Sequence, residues 1–363
     1  MNNMKADQLQ ALYHDSLACA KLVGLEYVSD EIPGLTRQKA GKGWRFVDSK
    51  GDTVSQPEVR QRLKSLAVPP AWQSVWFCAN DQGHILVTGL DEKGRKQYMY
   101  HPRWRQLREL INFYRLMNFG THLPKIRRNV DEHLARPDID REQLLALMVW
   151  FLDHSYIRIG NESYYEANES IGLTTLRKKN VRVDGDTVTL DFRGKSGKDH
   201  LIELKDKTVA ELITRLMKQP GEKLFQTRAI SLLDPSDCNE YLQTLTAEQI
   251  SAKDFRTWGG TLSAFTYLKK NRESAEAPEK VVLEAVDQAA ETLGNTRSVA
   301  RDHYVHPHIL ESFADDTFAK YYKQLKPRVV RGLYKSETEM LDFLDKLFQT
   351  EFDVLAVKNG EHA

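Results

Sequence analysis

Residues 294–307 read Gly-Asn-Thr-Arg-Ser-Val-Ala-Arg-Asp-His-Tyr-Val-His-Pro, and the predicted fold is organised around them. An amphipathic helix is predicted over 278–293, where apolar residues recur at helical spacing, and Gly294 is a typical C-terminal stop. A short second helix should follow and end before Pro307, which places Tyr304 near its end. Three residues could cap that helix: Asn295, Thr296 and Ser298. Alone, this pattern describes an ordinary helix end.

The composition is that of a globular chain without an overall basic character. The 363 residues suffice for two or three domains, with 41% hydrophobic and 28% charged residues. The net charge of +1 means that any surface for a polyanion must come from local clustering. Three dispersed cysteines fit a reducing compartment, and neither a signal peptide nor a membrane-length apolar run is found. We therefore expect a cytoplasmic protein without membrane association.

The texture of the sequence changes near residue 100. Residues 27–100 show short β-type runs split by turn signals, with a helical piece near 57–66. The rest is mostly helical, except that 181–204 reads as a hairpin and a third strand. The predicted fold class is α+β, with a small mainly-β N-terminal domain at 1–105 and a larger mainly-α domain with a small antiparallel sheet at 106–363. Helical patterns after residue 140 lie at 143–153, 211–217, 247–250, 262–270 and 337–354.

A basic stretch runs from Lys93 to Arg108. It contains six Lys or Arg and no Asp or Glu, interleaved with Tyr98, Tyr100 and Trp104. Cations suit phosphate contacts and aromatic residues suit base contacts, which favours nucleic-acid binding. An edge strand protected by charge is an equally good interpretation.

Three further motifs precede the tyrosine helix. They are Tyr-Ile-Arg-Ile-Gly-Asn at 156–161, Phe-Arg-Gly-Lys at 192–195 and Asp-Phe-Arg-Thr at 254–257. Taken singly, they describe a loop after a helix, a hairpin turn, and a helix start at which Asp254 is the N-cap.

Together the motifs supply the parts of a transesterification on DNA. Arg158 and Arg256 can bind the nonbridging oxygens of a phosphodiester and stabilise a phosphorane-like transition state. Tyr304 can attack the phosphorus if nearby cations ease the loss of its proton, since free tyrosine has a pKa of about 10. Lys195 can protonate the departing alkoxide.

With these motifs in this order, the chain resembles the type IB DNA topoisomerases, in the short poxvirus-like form found in bacteria. The resemblance covers roughly residues 25–325 and includes Gly-Leu-Thr-Thr-Leu at 172–176 and Gly-Arg-Lys-Gln-Tyr-Met-Tyr-His-Pro at 94–102. It implies that Arg158, Lys195 and Arg256 are catalytic and that Tyr304 forms a 3′-phosphotyrosyl link. The expected DNA-contacting residues are Arg95, Lys96, Gln97, Tyr98, Tyr100 and Arg103.

The resemblance also implies a mode of action. Such an enzyme nicks one strand of duplex DNA, lets the free end rotate and reseals it, with no ATP, cofactor or metal. We expect a monomeric, nucleoid-associated protein whose partner is double-stranded DNA.

One position departs from the family pattern. Many members have His nine residues before the tyrosine, whereas this chain has Asn295. An amide can donate a hydrogen bond to a phosphate oxygen but carries no charge. We therefore predict that Asn295 is catalytic as a neutral donor. The alternative is that it only caps the helix.

Three other functions compete with this interpretation. A tyrosine recombinase typically has His three residues before the second arginine, where this chain has Lys253. A DNA-binding protein that has lost catalysis should lack one of the four catalytic residues, and all are present. A metal-dependent nuclease is poorly supported, because His306 and His308 have no carboxylate cluster at metal-ligand spacing.

Overall fold

A computed structural model of the protein describes residues 12, 15–41, 43–162, 165–166, 169–227 and 229–360. For residues 113, 196 and 348–360 it describes the backbone alone. The chain divides into two compact units, one of Met1–Arg115 together with Gln349–Ala363 and one of Leu116–Phe348. The first unit contains α1 (Ser16–Leu22) and α2 (Pro57–Ser65). A long helix, α3 (Pro102–Leu134), begins in the first unit and continues into the second.

The first unit is built on a five-stranded antiparallel sheet. In the sheet the strands follow the order β2-β1-β3-β4-β5. They are β1 (Leu35–Ala40), β2 (Gly43–Val47), β3 (Gln73–Phe77), β4 (Ile85–Leu90) and β5 (Lys96–Tyr100). Phe46, Phe77 and Val87 form the core of this sheet. The strand-rich N-terminal region is thus confirmed, and the basic stretch contains an edge strand.

The second unit is mainly helical. Its further helices are α4 (Arg141–Ser155), α5 (Lys207–Met217), α6 (Pro235–Thr246), α7 (Ala252–Lys270), α8 (Pro278–Leu293), α9 (Arg297–His303), α10 (Pro307–Ala314) and α11 (Thr317–Lys323). The last helix, α12 (Lys335–Gly360), begins in the second unit, and its residues from Gln349 onward belong to the first. Every residue of α4 from Gln143 to Asp153 is buried, so this helix is surrounded by protein on all sides. The prediction of a helix at 247–250 is wrong, because Ala247 adopts a left-handed conformation (φ 62°) that ends α6.

A small antiparallel sheet interrupts the helices. Its strands are β6 (Val181–Asp184), β7 (Thr187–Arg193) and β8 (Asp199–Lys205), in that order. A 3₁₀ turn, Lys195–Gly197, joins β7 to β8. The predicted hairpin and third strand are confirmed, and so is the α+β fold class.

In the described part of the chain, no helix is both long and apolar enough to cross a membrane.

Candidate active site

Arg158 lies in an irregular segment that follows α4. Tyr156 ends that helix in a left-handed conformation (φ 52°). The carbonyl of Arg158 then accepts a hydrogen bond from Leu173 N at 2.9 Å. Gly160 and Gly172 pack backbone to backbone, since a β-carbon on Gly172 would lie 2.4 Å from the Gly160 Cα. The 156–161 motif is therefore fixed against the 172–176 motif.

Arg256 is buried near the start of α7. The residue before that helix is Ser251, whose backbone N–H and hydroxyl both donate to the Asp254 carboxylate at 2.8 Å. Ser251 is therefore the N-cap, and the interpretation of Asp254 as the N-cap is wrong. The Arg256 guanidinium, in a residue only 4% exposed, donates to the carbonyls of Tyr156 and of Leu293, the latter at 3.0 Å.

Asn295 joins the two arginines. Its Oδ1 accepts hydrogen bonds from the guanidinium groups of Arg158 and Arg256, the latter at 3.3 Å. Its Nδ2 is buried and has no hydrogen-bond partner among the described residues. The cap of α9 is Thr296, whose hydroxyl accepts from Val299 N at 3.4 Å. The interpretation of Asn295 as only a helix cap is therefore wrong.

Tyr304 ends α9 beside Arg256. Its half-buried ring lies under the Arg256 guanidinium, whose carbon is 4.8 Å from the ring centroid. Its carbonyl accepts a hydrogen bond from Thr261 Oγ1 at 3.1 Å, which ties the residue to α7. Burial raises the pKa of Tyr304, but the charges of Arg256, Arg158 and Lys253 outweigh it and leave the pKa below its usual value.

Lys195 lies in the turn between β7 and β8 and is exposed. It lines a cavity of about 310 Å³ together with Arg158 and Arg256. The structure therefore brings the predicted lysine and both predicted arginines to one cavity, with Asn295 and Tyr304 attached through Arg256.

The electrostatics of this cavity favour an anion. Burial and the charge of Arg158 lower the pKa of Arg256 to about 10. The hydrogen-bond acceptors of Arg256 are carbonyl and amide oxygens, which carry no full charge. The positive charge is thus left for a ligand, as phosphate recognition requires.

The predicted DNA-contacting residues lie together on and around β5 in the first unit. Tyr98 and Tyr100 are stacked, with ring centroids 5.8 Å apart, and are 44% and 38% exposed. Arg95 pairs with Asp91 at 2.7 Å, and Gln97 Nε2 donates to the same carboxylate at 3.0 Å. Two further contacts complete the set: Lys96 with Asp30 at 2.7 Å, and Arg103 with Gln82.

Three residues beside the site were not predicted. His200 lines the cavity, Lys198 Nζ donates to the Asn295 carbonyl at 3.4 Å, and Lys253 helps to lower the pKa of Tyr304. Lys198 and His200 follow Lys195 closely in sequence, which was the only available signal. In the sequence, Lys253 bears only on the comparison with the recombinase pattern.

His306 and His308 are not part of this group. Their rings are 5.4 Å apart, and His306 is buried where α10 begins. Among the described residues, no three His, Cys, Asp or Glu side chains form a group that could hold a metal.

Comparison with known proteins identifies the class. The model of the eukaryotic DNA topoisomerase I catalytic core matches residues 101–328, more than half of the chain, and the bacterial DNA topoisomerase IB N-terminal domain matches 43–91. The chain belongs to the type IB DNA topoisomerase family, which confirms the resemblance inferred from the motifs.

Relatives span viruses and eukaryotes. A DNA topoisomerase 1B of Acanthamoeba polyphaga mimivirus is 29% identical over 299 residues, covering 78% of this chain and 89% of that protein. The DNA topoisomerase 1B of vaccinia virus (strain Copenhagen) is 26% identical over 283 residues, covering 75% and 87%. DNA topoisomerase 1 beta of Arabidopsis thaliana is 26% identical over 186 residues, covering 50% of this chain and 20% of that protein.

Proposed function

We propose that this protein relaxes supercoiled duplex DNA by nicking one strand, allowing rotation and resealing the nick. The observation that carries the proposal is the group formed by Asn295, the two arginines that it joins, and Tyr304 under one of them. Family membership supports the same activity.

The proposed chemistry is a reversible exchange of two phosphoester bonds. The Tyr304 oxygen bonds to phosphorus as its proton passes to solvent, and the bond from phosphorus to the 5′-oxygen breaks. Arg158 and Arg256 stabilise the charge that develops on the nonbridging oxygens, and Asn295 Nδ2 donates to one of them. Lys195 gives a proton to the leaving 5′-oxygen. The 3′-phosphotyrosyl link keeps the energy of the broken bond, so resealing needs no ATP. The guanidinium groups of Arg158 and Arg256 supply the positive charge that a metal ion would otherwise provide.

We propose further that residues 1–105 contact the duplex while 106–363 hold the reacting phosphodiester. The protein would act as a monomer, since one chain supplies all five site residues. The match to the bacterial N-terminal domain supports a bacterial source, and hence a cytoplasmic, nucleoid-associated enzyme.

The test is relaxation of supercoiled plasmid in EDTA without ATP. The wild type should relax it, and Tyr304→Phe should bind DNA equally well but form no covalent adduct trapped by denaturant. Tyr322→Phe is a matched control, because Arg272 lies over that ring in the same way, 5.2 Å from its centroid. An adduct formed by Tyr304→Phe would show that another residue is the nucleophile.

A further inference from the structure

The imidazole of His200 packs directly against two glycines that precede site residues. A β-carbon on Gly194, the residue before Lys195, would lie 2.8 Å from the ring atoms Cδ2 and Nε2. A β-carbon on Gly294, the residue before Asn295, would lie 2.3 Å from Cε1. The ring thus fills the space between the turn that carries Lys195 and the turn that carries Asn295.

The ring is held in this place by the small sheet. His200 is the partner of Phe192 in the antiparallel register of β7 and β8. The two rings stack, with centroids 5.0 Å apart and planes at 14°. Strand pairing and stacking leave the His200 side chain few alternative positions. The ring can therefore fix where Gly194 and Gly294 lie relative to the sheet.

The electrostatic setting keeps this ring neutral. Burial lowers the pKa of His200, and the charges of Arg158, Lys198 and Arg256 lower it further, while Asp199 opposes them. At neutral pH the imidazole therefore adds no further charge to a site that is already cationic. We therefore expect the ring to act through the space that it fills between the two turns and not through its charge.

A second contact joins the same two turns. Lys198 Nζ donates to the Asn295 carbonyl at 3.4 Å, and the Lys198 carbonyl accepts from Gly194 N at 2.8 Å, closing the turn around Lys195. The lysine turn and the Asn295 turn are therefore connected at two points, one apolar and one polar.

We propose that His200 is a positioning residue, which sets the turn of Lys195 against the turn of Asn295 and so aims the lysine at the leaving 5′-oxygen. This inference rests on the proposed function. A misplacement of about 1 Å in a reacting group can cost roughly 10²-fold in rate. Loss of the ring should therefore affect the step that needs the lysine proton.

The experiment compares two single-turnover cleavage substrates, one natural and one with sulfur in place of the bridging 5′-oxygen. In both, the bond from Tyr304 oxygen to phosphorus forms. The oxygen leaves with a proton, whereas the sulfur leaves as a thiolate without one. His200→Ala should lose about 10²-fold on the natural substrate and stay within a few-fold of the wild type on the sulfur substrate.

Three further variants sharpen the result. Lys195→Ala/His200→Ala should be no slower on the natural substrate than Lys195→Ala alone, because both act on one proton transfer. His200→Phe keeps a flat ring and should recover most of the rate. His154→Ala removes another stacked histidine, 4.3 Å from the Trp150 ring, and should keep both rates.

Equal loss on both substrates, or a loss that adds to that of Lys195→Ala, would overturn the positioning role. Failure of His200→Phe to recover would mean that a flat ring at this place is not what positions the lysine, and would also overturn the positioning role. If the wild type cleaves neither substrate, the proposed function fails. A wild type that cleaves both, with His200→Ala unaffected, refutes only this inference.

Discussion

The Asn295 amide lies where the guanidinium groups of Arg158 and Arg256 converge, and its oxygen and its nitrogen have different surroundings. Oδ1 accepts from Arg158 and Arg256 and so holds two like charges close together. Nδ2 is buried and has no hydrogen-bond partner among the described residues. An amide suits both needs at once, because it accepts and donates without adding charge.

Asn295→Asp should slow cleavage by about 10²–10³, the usual cost of losing one preorganised donor in a transition state. The carboxylate would keep the acceptor for both arginines but lose the donor and bring negative charge against the phosphate. The measurement is single-turnover cleavage. Asn295→Ser is the control for size and polarity, and Thr296 should keep α9 capped in both variants. Cleavage by Asn295→Asp at the wild-type rate would eliminate the donor role.

For single residues, the sequence predicted which side chains belong to the candidate site better than it predicted what those side chains contact. Arg158, Arg256 and Tyr304 were found because each lies in a short motif, and the structure places them together. The role that we propose for His200 could not be found in this way. It depends on strand register and on two glycines that are 100 residues apart in the chain, Gly194 and Gly294.

Among the elements, the end of α4 connects the core to the arginine pair. The Tyr156 carbonyl accepts from Arg256, and its ring occupies the space beside Gly259, where a β-carbon would lie 2.5 Å from the ring. Just before it, Asp153 pairs with Arg127 of α3 at 2.7 Å, and Arg127 pairs with Glu337 of α12 at 2.8 Å. Three helices are thus tied beneath the segment that carries Arg158.

Glu337→Gln should lower the free energy of unfolding by about 3 kcal/mol, because it removes one charge from a buried, hydrogen-bonded network. Glu337 is 1% exposed and also accepts from Trp258 Nε1 at 3.1 Å, so tryptophan fluorescence during urea unfolding is a suitable measurement. The contrast is Asp287→Asn, which breaks the half-exposed pair with Arg297 and should cost about 0–1 kcal/mol. Equal effects of the two substitutions would mean that the network adds no special stability.

Periodicity predicted the elements well where one face is buried and poorly elsewhere. The 278–293 helix was predicted because its apolar residues recur with the period of a helix. The 181–204 sheet was predicted because its apolar residues alternate along each strand. The edge strand β5 has little apolar signal, because it alternates only between exposed and half-buried residues. The false helix at 247–250 continued an apolar pattern across a left-handed residue, which a local pattern does not reveal.

For the whole molecule, the net charge of +1 conceals how cations and carboxylates are arranged. The basic stretch has no acidic residue in its own sequence, but tertiary structure brings Asp30 to Lys96, and the preceding turn brings Asp91 to Arg95. The division between the two compact units falls inside the continuous helix α3. The Asp30–Lys96 pair joins residues distant in the chain, and only the folded structure reveals it.

The salt dependence of DNA affinity tests whether the stretch around β5 faces DNA. Each phosphate contact releases counterions and steepens the fall of log K with log salt by about 0.9, so replacing Arg95, Lys96 and Arg103 by Ala should flatten the slope measurably. The flattening should be less than that of three fully free cations, because Asp91 and Asp30 already neutralise part of this charge. Replacing Lys50, Arg60 and Lys64, which are exposed in the same unit but lie off β5, is the charge-matched control and should leave the slope almost unchanged. Asp30→Asn should act in the opposite direction and raise the affinity at low salt, because Lys96 is then released to bind phosphate. If both triple variants flatten the slope equally, the unit binds DNA through its general charge, and the edge strand has no special part in it.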